Sequence, residues 1–163
     1  DNKPYGLHRS REEKFFTGEK ILSLRKCERP VFTYTDYDCY VLAEYYVIKT
    51  NVVDLKYLIA LLNSKLIEFW LFYKGKRQGN IYQVDKEPLI NIPIKKAAVQ
   101  EQKLFMDLVN EIFAIIKSED YLTNPEKQTK VKGLEKQIDQ LVYKLYGLTD
   151  DEIEIIENFH KKA

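Results

Sequence analysis

The sequence contains few of the residues that build metal-held or disulfide-held structure. It has two cysteines, two histidines and one methionine among 163 residues. Cys27 and Cys39 form no CxxC pair, and His8 and His160 lie at opposite ends of the chain. Structural zinc sites usually take close pairs of ligands, so this spacing argues against a metal. We expect both cysteines to be reduced thiols of an intracellular protein.

Long apolar runs are also absent. The richest one, residues 55–72, is too polar for a membrane span because it is interrupted by Asn63, Ser64, Lys65 and Glu68. No secretory signal begins the sequence. Its first residue is an aspartate rather than a methionine, so we expect a fragment of a longer, cytoplasmic protein that has no membrane partner.

Sequence motifs of several enzyme classes are missing too. The chain has no glycine-rich phosphate loop, no GxSxG turn and no HExxH pair. Asp36, Asp38 and Glu44, with Lys49, loosely resemble the carboxylates and lysine of a metal-dependent nuclease. Aspartate is a common turn former, however, and this spacing favours solvated turns. We therefore expect no catalytic and no metal-binding residue here, and keep a self-sufficient nuclease as an alternative.

The charges that are present divide unevenly along the chain. The net charge is +1. Residues 1–96 contain 17 Lys+Arg against 12 Asp+Glu, or +5, whereas residues 97–163 contain 9 against 13, or −4. The first part is therefore the better candidate for binding a polyanion.

The first part combines strand-like and helix-like patterns. Three segments rich in β-branched and aromatic residues, "EKILSLRK", "PVFTYT" and "CYVLAEYYVIK", predict three strands. Asp54 precedes "LKYLIALLNSKLIEFWLFY", in which apolar residues repeat every three or four positions and predict one central buried helix. A flexible loop, a short strand "NIYQV" and a strand punctuated by Pro88 and Pro93 should follow.

The second part has helical periodicity throughout. Apolar residues predict one amphipathic helix over 104–116 and another over 131–145, which Gly147 ends. Thr149 and Glu152 match a capping box before a last short helix.

Together these patterns predict an α+β fold. Residues 1–97 should form an α/β core, a small mixed or antiparallel sheet with a central buried helix. Residues 98–163 should form an antiparallel helical tail of the same domain. Three partners are open to the apolar face of this tail: the domain's own helices, another domain of the same protein, or a second copy of the chain, which would give self-association.

Two cationic segments interrupt the predicted core. "RKCERP" lies between the first two strands, and "KGKRQGNIYQV" follows the central helix. Lysine and arginine bind phosphates, whereas arginine, asparagine and glutamine form paired hydrogen bonds with base edges. These residue types are suited to a nucleic acid, and simple solvated loops are the alternative. The candidate contacts are Arg9, Arg11, Arg25, Lys26, Arg29, Lys74, Lys76, Arg77, Gln78, Asn80, Tyr82 and Gln83.

Three segments resemble a known family. "YLIALLNSKLIEFWLFYKGKRQGNIYQVDKEPLINIPI" resembles the middle of the TaqI-like C-terminal specificity domain of adenine-specific DNA methyltransferases and of restriction enzymes that fuse methylation and cleavage. "LHRSREEKFFTGEKILSLRK" resembles the entry segment of that domain, and "LEKQIDQLVYKLYGLTDDEIEIIE" resembles its helical ending. The frequent LPIP motif of the family reads Ile92-Pro93-Ile94-Lys95 here.

The resemblance implies a target recognition domain, which binds double-stranded DNA and selects a short site for a separate catalytic domain. Residues 1–97 would be its DNA target recognition core. In that family an upstream methyltransferase domain of the same chain carries an S-adenosylmethionine motif and an Asn-Pro-Pro-Tyr motif. Neither motif is in this sequence, and Asn124-Pro125 fits a helix cap instead. We therefore expect no enzyme activity and no cofactor in this chain, with S-adenosylmethionine bound by the upstream domain. A helical module that recruits a protein partner is the alternative function.

Overall fold

The computed structural model describes residues 12–162, which form two small sheets and a set of helices. None of the helices in this range has the length and hydropathy of a membrane span. The strands are β1 (Lys20–Leu24), β2 (Lys26–Cys27), β3 (Phe32–Thr35), β4 (Tyr45–Ile48), β5 (Lys76–Gln78) and β6 (Ile81–Gln83). The helices are α1 (Leu55–Leu62), α2 (Lys65–Lys74), α3 (Lys86–Ile90), α4 (Val99–Ile116), α5 (Pro125–Tyr146) and α6 (Asp150–Asn158).

The first sheet has the antiparallel order β3-β1-β4, which confirms the three predicted strands. Ile21 of the central strand is 0% exposed and pairs with residues of both neighbours. Lys20 is equally buried, and its Nζ donates to the carbonyl oxygens of Gly18 and Tyr37 at 2.7 and 2.6 Å. Strand β4 is shorter than the segment "CYVLAEYYVIK" predicts, because residues 36–44 form the connection between β3 and β4.

The predicted single central helix is wrong, because α1 ends at Leu62 and α2 begins at Lys65. The side chain of Asn63 accepts a hydrogen bond from the backbone nitrogen of Phe32 and donates to its carbonyl oxygen, both at 2.9 Å. The hydroxyl of Ser64 then caps α2 by accepting from the backbone nitrogen of Ile67. The break therefore joins the helices to the edge of the first sheet.

The predicted flexible loop after α2 is also wrong, because β5 and β6 form an antiparallel hairpin there. Gly79 has φ of 60° and Asn80 keeps a negative φ, which is the pattern of a two-residue hairpin turn with glycine first. The strand expected around "NIYQV" is confirmed as β6.

The segment after the hairpin contains a short helix, α3, where a strand punctuated by prolines was expected. Pro88 lies inside this helix near its beginning, where a missing backbone N–H is tolerated. Pro93 follows the end of the helix, and the chain runs on without regular structure until α4 begins.

The tail is helical as predicted. Asn124 caps α5 by accepting hydrogen bonds from the backbone nitrogens of Glu126 and Lys127, and Gly147 ends it in a left-handed conformation. Thr149 and Glu152 form the expected capping box. Helix α5 packs against α1, α2 and α4, so its apolar face is used within the chain. Self-association through the tail stays a prediction.

One apolar core joins the two parts of the chain. It contains Ile21 and Phe32 of the first sheet, Leu61 of α1, and Ile138 and Val142 of α5. The hydroxyl of Tyr57, a residue with 0% exposure, donates to the carbonyl oxygen of Lys95 at 2.6 Å. The helical tail therefore stabilises the same core that supports both sheets.

Candidate nucleic-acid interface

The second sheet brings the two cationic segments together. Its order is β2-β6-β5, with Lys26 opposite Gln83 and Gln83 opposite Lys76. We call these three strands the hairpin sheet. In sequence, β2 and β6 are far apart, so only the folded chain makes one surface of them. Because β2 pairs only with Tyr82 and Gln83, residues 78–81 extend beyond it as a two-stranded tip.

The two faces of the hairpin sheet differ. Residues paired across neighbouring strands lie on the same face, so Lys26, Gln83 and Lys76 form one row, while Cys27, Tyr82 and Arg77 form the next. Lys26 and Lys76 are exposed. Tyr82 is 4% exposed, and burial together with the charge of Glu68 raises its pKa to about 12. The first row is therefore the outer face, and Tyr82 packs beneath the sheet.

Backbone hydrogen bonds fix the hairpin sheet to the rest of the molecule. The backbone nitrogen of Arg25 donates to the carbonyl oxygen of Glu44, and the nitrogen of Val84 donates to the carbonyl oxygen of Arg25, at 2.9 and 2.8 Å. At the other end of the hairpin, the nitrogen of Gly75 donates to Leu71 of α2 at 2.9 Å. The sheet is therefore held by the first sheet on one side and by α2 on the other.

Gly75 allows this close approach of the hairpin to α2. A Cβ atom at this position would lie 2.5 Å from the carbonyl oxygen of Leu71. Any other residue must push the hairpin away from the helix end, because the opposing atom belongs to the backbone.

Arg77 packs over two aromatic rings. Its Cζ atom is 4.0 Å from the ring centroid of Phe72 and 5.6 Å from that of Tyr82. Its Nη2 also donates to the carbonyl oxygen of Gly79 at 3.5 Å. The side chain is exposed, and a guanidinium has five N–H donors, so other donors remain for a further partner.

Arg29 is held on another part of the surface by a buried carboxylate. Its Nε lies 3.3 Å from Oε2 of Glu68, whose side chain is 9% exposed. The other oxygen of Glu68 lies 3.0 Å from Nε2 of His160, near the end of the tail. This contact uses the Nε side of Arg29 and leaves the terminal nitrogens of a 60% exposed side chain for other partners.

Asp85 lies among the cations of the outer face. Its carboxylate accepts hydrogen bonds from Nε2 of Gln83 at 3.0 and 3.1 Å. Nζ of Lys76 is 3.6 Å from the same carboxylate and Nη2 of Arg25 is 3.9 Å from it. The ring of Tyr46 lies 5.4 Å from the guanidinium of Arg25. One acidic residue is thus central to a surface that the sequence presents as basic.

Lys74 is the last residue of α2 and lies beside the hairpin sheet, with Nζ 5.8 Å from the ring of Trp70. Both residues line a cavity of about 410 Å³ that also reaches Lys76, Asp85 and Asn91. Nε1 of Trp70 is buried and has no hydrogen-bond partner among the described residues. The cavity lies next to the outer face and is lined by two lysines together with two acids, Asp85 and Glu87.

The remaining predicted contacts are distributed as follows. Gln78 is exposed at the end of β5, and Asn80 is exposed in the turn. Arg9 and Arg11 lie outside the described residues. The structure therefore gathers Arg25, Lys26, Lys76 and Gln83 on the outer face. Arg77 belongs to the row of Tyr82 on the opposite face, and Arg29 pairs separately with Glu68.

The carboxylates of the nuclease alternative do not converge. Oδ1 of Asp38 accepts from the backbone nitrogen of Gly18 at 2.7 Å. Nζ of Lys49 donates to the carbonyl oxygens of Lys14 and Thr17 at 2.8 and 2.7 Å, so it is occupied by backbone groups. Across residues 12–162, no three His, Cys, Asp or Glu side chains come close enough to hold a metal.

Comparison with known families gives a match to the TaqI-like C-terminal specificity domain over residues 2–94. The chain belongs to this family. The matched residues include every strand of both sheets and the whole hairpin, whereas α4, α5 and α6 lie beyond them. The specificity domain therefore contains the cationic surface described above.

Two curated proteins are similar to this specificity domain. They are the type II methyltransferase M.HincII of Haemophilus influenzae and the type II methyltransferase M.HindII of Haemophilus influenzae strain Rd. Each is 35% identical over 82 residues, which is 48% of this chain and 15% of the relative. The matched segment is thus a small part of each methyltransferase.

Sequence reasoning missed three residues of the site: Glu68, Phe72 and Asp85. A signal existed for two of them. Asp85 follows Gln83 by two positions, which places both on one face of an extended strand. Glu68 is an isolated acid in an apolar helix, and such an acid usually has a buried partner. The contact of Phe72 with Arg77 had no sequence signal, because it depends on how the hairpin folds back over α2.

Proposed function

We propose that this chain binds double-stranded DNA and selects a short site in it for a separate methyltransferase domain of the same protein. The observation that supports this most directly is the hairpin sheet, which joins both cationic segments on one outward face in a chain of the specificity domain family. The proposal assigns catalysis to another domain, because the S-adenosylmethionine motif and the Asn-Pro-Pro-Tyr motif of the family are not in this sequence.

The shape of the hairpin tip suits a DNA groove. The major groove of B-DNA is about 12 Å wide and admits a two-stranded β-ribbon. Neighbouring strands lie about 5 Å apart, so residues 78–81 form a ribbon narrow enough to enter, while the third strand widens the sheet behind them. Gln78, Asn80 and Ile81 are exposed on this tip. Amide groups read base edges, and an apolar side chain contacts the thymine methyl group.

The charged residues behind the tip divide by chemistry. Lys26 and Lys76 are compact charges that flank the tip on the outer face and suit phosphates. Arg77 is exposed and packs over Phe72, and its forked guanidinium suits guanine or a phosphate. Lys74, at the adjoining cavity, adds a further phosphate contact.

The second part of the proposal concerns the methyltransferase domain of the same protein. Both similar proteins carry the name of type II methyltransferases, and this chain corresponds to a small share of their length. We infer that a methyltransferase domain of the same chain binds S-adenosylmethionine and methylates adenine N6 at the selected site. A bacterial restriction-modification enzyme of this kind works in the cytoplasm, where the chromosome lies.

The salt dependence of binding tests the DNA part. Each phosphate neutralised lowers log K by roughly 0.9 per unit of log salt, so contact with about four phosphates gives a slope near −3.6. We expect the full chain to bind duplex DNA weakly. In the double variant with Lys26→Ala and Lys76→Ala, the slope should be less steep by the contribution of about two phosphates. Lys103→Ala is the matched control, because it removes an exposed cation on α4. A flat slope for the wild type refutes phosphate binding by this surface.

Calorimetry with S-adenosylmethionine tests the division of labour. We expect no heat of binding with this chain alone and stoichiometric binding with a protein that includes the methyltransferase domain. Stoichiometric binding by this chain, with methyl transfer to DNA, contradicts the proposal.

A further inference from the structure

The carboxylate of Asp85 dictates how the amide of Gln83 is turned. A carboxylate only accepts hydrogen bonds, so the side of the amide that faces it must be the NH₂ group. Nε2 of Gln83 meets both oxygens of Asp85, at 3.0 and 3.1 Å. The amide oxygen of Gln83 makes no hydrogen bond with any of the described residues. The two oxygens of one carboxylate lie too close together to face both hydrogens of the amide, so Asp85 engages one N–H of Gln83 and fixes which side of the amide carries the oxygen. The oxygen and the second N–H are left for another molecule.

Gln83 and Asp85 lie at a position on the hairpin sheet where the amide oxygen of Gln83 could contact a base. Gln83 lies between Lys26 and Lys76 in the outer row, just behind the hairpin tip. Gln83 has one lysine on each side. A side chain able to contact a base edge thus lies between two side chains suited to phosphates. The side chain of Asp85 is only 21% exposed, and its contacts with Arg25 and Lys76 keep it in place.

We propose that Asp85 is a specificity-determining residue that makes Gln83 a hydrogen-bond acceptor. The inference rests on the proposed DNA-binding function. In the major groove, adenine N6 and cytosine N4 are donors, whereas guanine O6 and thymine O4 are acceptors. An amide oxygen whose position is fixed accepts from an amino group there and repels a keto group. The second N–H of Gln83 stays free to donate beside it, so we infer selection of amino bases, adenine or cytosine, over keto bases at the position of the oxygen.

Asp85 has a second effect through its charge. A carboxylate among Arg25, Lys26 and Lys76 lowers the positive potential that attracts any DNA backbone. Its removal should therefore strengthen binding to unrelated DNA while discrimination falls. A residue needed only for folding would weaken binding to all DNA, so the two roles differ in sign.

The test compares the full wild-type chain with Asp85→Asn on duplex DNA. Asparagine both donates and accepts, so Gln83 becomes free to turn over in this variant. Selection from a random duplex library first identifies the preferred site. At each amino-base position of that site the amino group is then exchanged for a keto group, hypoxanthine for adenine or uracil for cytosine. We expect a loss of at least about fivefold for the wild type at one position, and little loss for Asp85→Asn.

Two further variants sharpen the result. Gln83→Met removes both halves of the amide at similar length and should abolish the same discrimination, and combining it with Asp85→Asn should add nothing. Asp107→Asn, on α4, is the charge-matched control and should leave discrimination and non-specific binding unchanged. Non-specific affinity should rise for Asp85→Asn, and circular dichroism verifies that each variant is folded.

Four results overturn the inference, the last of them together with the proposed function. Equal discrimination in the wild type and Asp85→Asn removes the role of Asp85, as does a selected site without any preference for amino over keto bases. A parallel loss of cognate and non-specific binding in folded Asp85→Asn assigns Asp85 a purely structural role. If the wild type binds no duplex at all, the proposed function fails and this inference fails with it, which the first step of the experiment reveals separately.

Discussion

Asp139 provides a quantitative test of how the tail supports the specificity domain. This residue of α5 is 8% exposed, and its Oδ1 accepts a hydrogen bond from the backbone nitrogen of Lys65, the first residue of α2, at 2.8 Å. Burial raises the pKa of Asp139 from 3.8 to about 6, although the Lys65 hydrogen bond and charge act in the opposite direction. The perturbation is Asp139→Asn, which keeps an acceptor for the Lys65 nitrogen and removes the titration.

The sign follows from proton binding. A carboxyl whose pKa is raised by folding holds its proton more tightly in the folded chain, so the free energy of unfolding falls as pH rises from about 4 to about 6. Above about pH 6 the effect levels off, since both states are then ionised. The change from 3.8 to about 6 is roughly 2 pKa units at about 1.4 kcal/mol each. The free energy of unfolding of Asp139→Asn should therefore equal that of the wild type near pH 4 and exceed it by up to about 3 kcal/mol at pH 7.

The assay is urea unfolding followed by circular dichroism at several values between about pH 4 and about pH 8. The difference between variant and wild type cancels the titration of every other group. Asp107→Asn, an exposed acid on α4, serves as the control and should give a difference that does not depend on pH. A constant difference between Asp139→Asn and the wild type across this range refutes the reasoning.

Three further predictions concern the hairpin and its support. Arg77→Ala should reduce the binding free energy by roughly 1–3 kcal/mol on the preferred DNA site only, whereas Lys76→Ala should weaken binding to all sequences alike and make the salt slope less steep by the share of about one phosphate. Binding isotherms on preferred and scrambled duplexes measure both effects. Equal losses on the two duplexes for Arg77→Ala would make Arg77 a phosphate contact. Gly75→Ala should reduce DNA affinity more than stability, because its Cβ would lie 2.5 Å from the carbonyl oxygen of Leu71; an affinity equal to wild type contradicts this. Asn63→Ala should lower the free energy of unfolding by about 1–3 kcal/mol, because it removes two hydrogen bonds to β3, and unchanged denaturant unfolding argues against that role.

Features with local causes were predictable from the sequence. Asp54 caps α1 through a hydrogen bond to its own helix, and the capping box of Thr149 and Glu152 involves neighbouring residues only. Gly147 ends α5 for a similarly local reason. The sequence "QGNI" also contained a hairpin signal, since Gly-Asn favours a two-residue turn, but the surrounding charges suggested a loop instead.

Features that depend on distant partners were not predictable. The break after α1 exists because Asn63 bonds to the backbone of Phe32, and nothing near Asn63 in the sequence indicates that partner. The pairing of β2 with β6 likewise joins segments that are separated by β3, β4, two helices and β5. The residue types of the candidate site were visible in the sequence, whereas the central place of Asp85 among them was not.

The way in which the hairpin enters and leaves the molecule makes it a portable unit. Before β5, the backbone nitrogen of Gly75 donates to the carbonyl oxygen of Leu71 in α2. After β6, the backbone nitrogen of Val84 donates to the carbonyl oxygen of Arg25. Between these anchors only Tyr82 is buried, so only that position is committed to the interior. The exposed positions are free to vary without a new core, and grafting a different tip between the same anchors is a direct route to altered target preference.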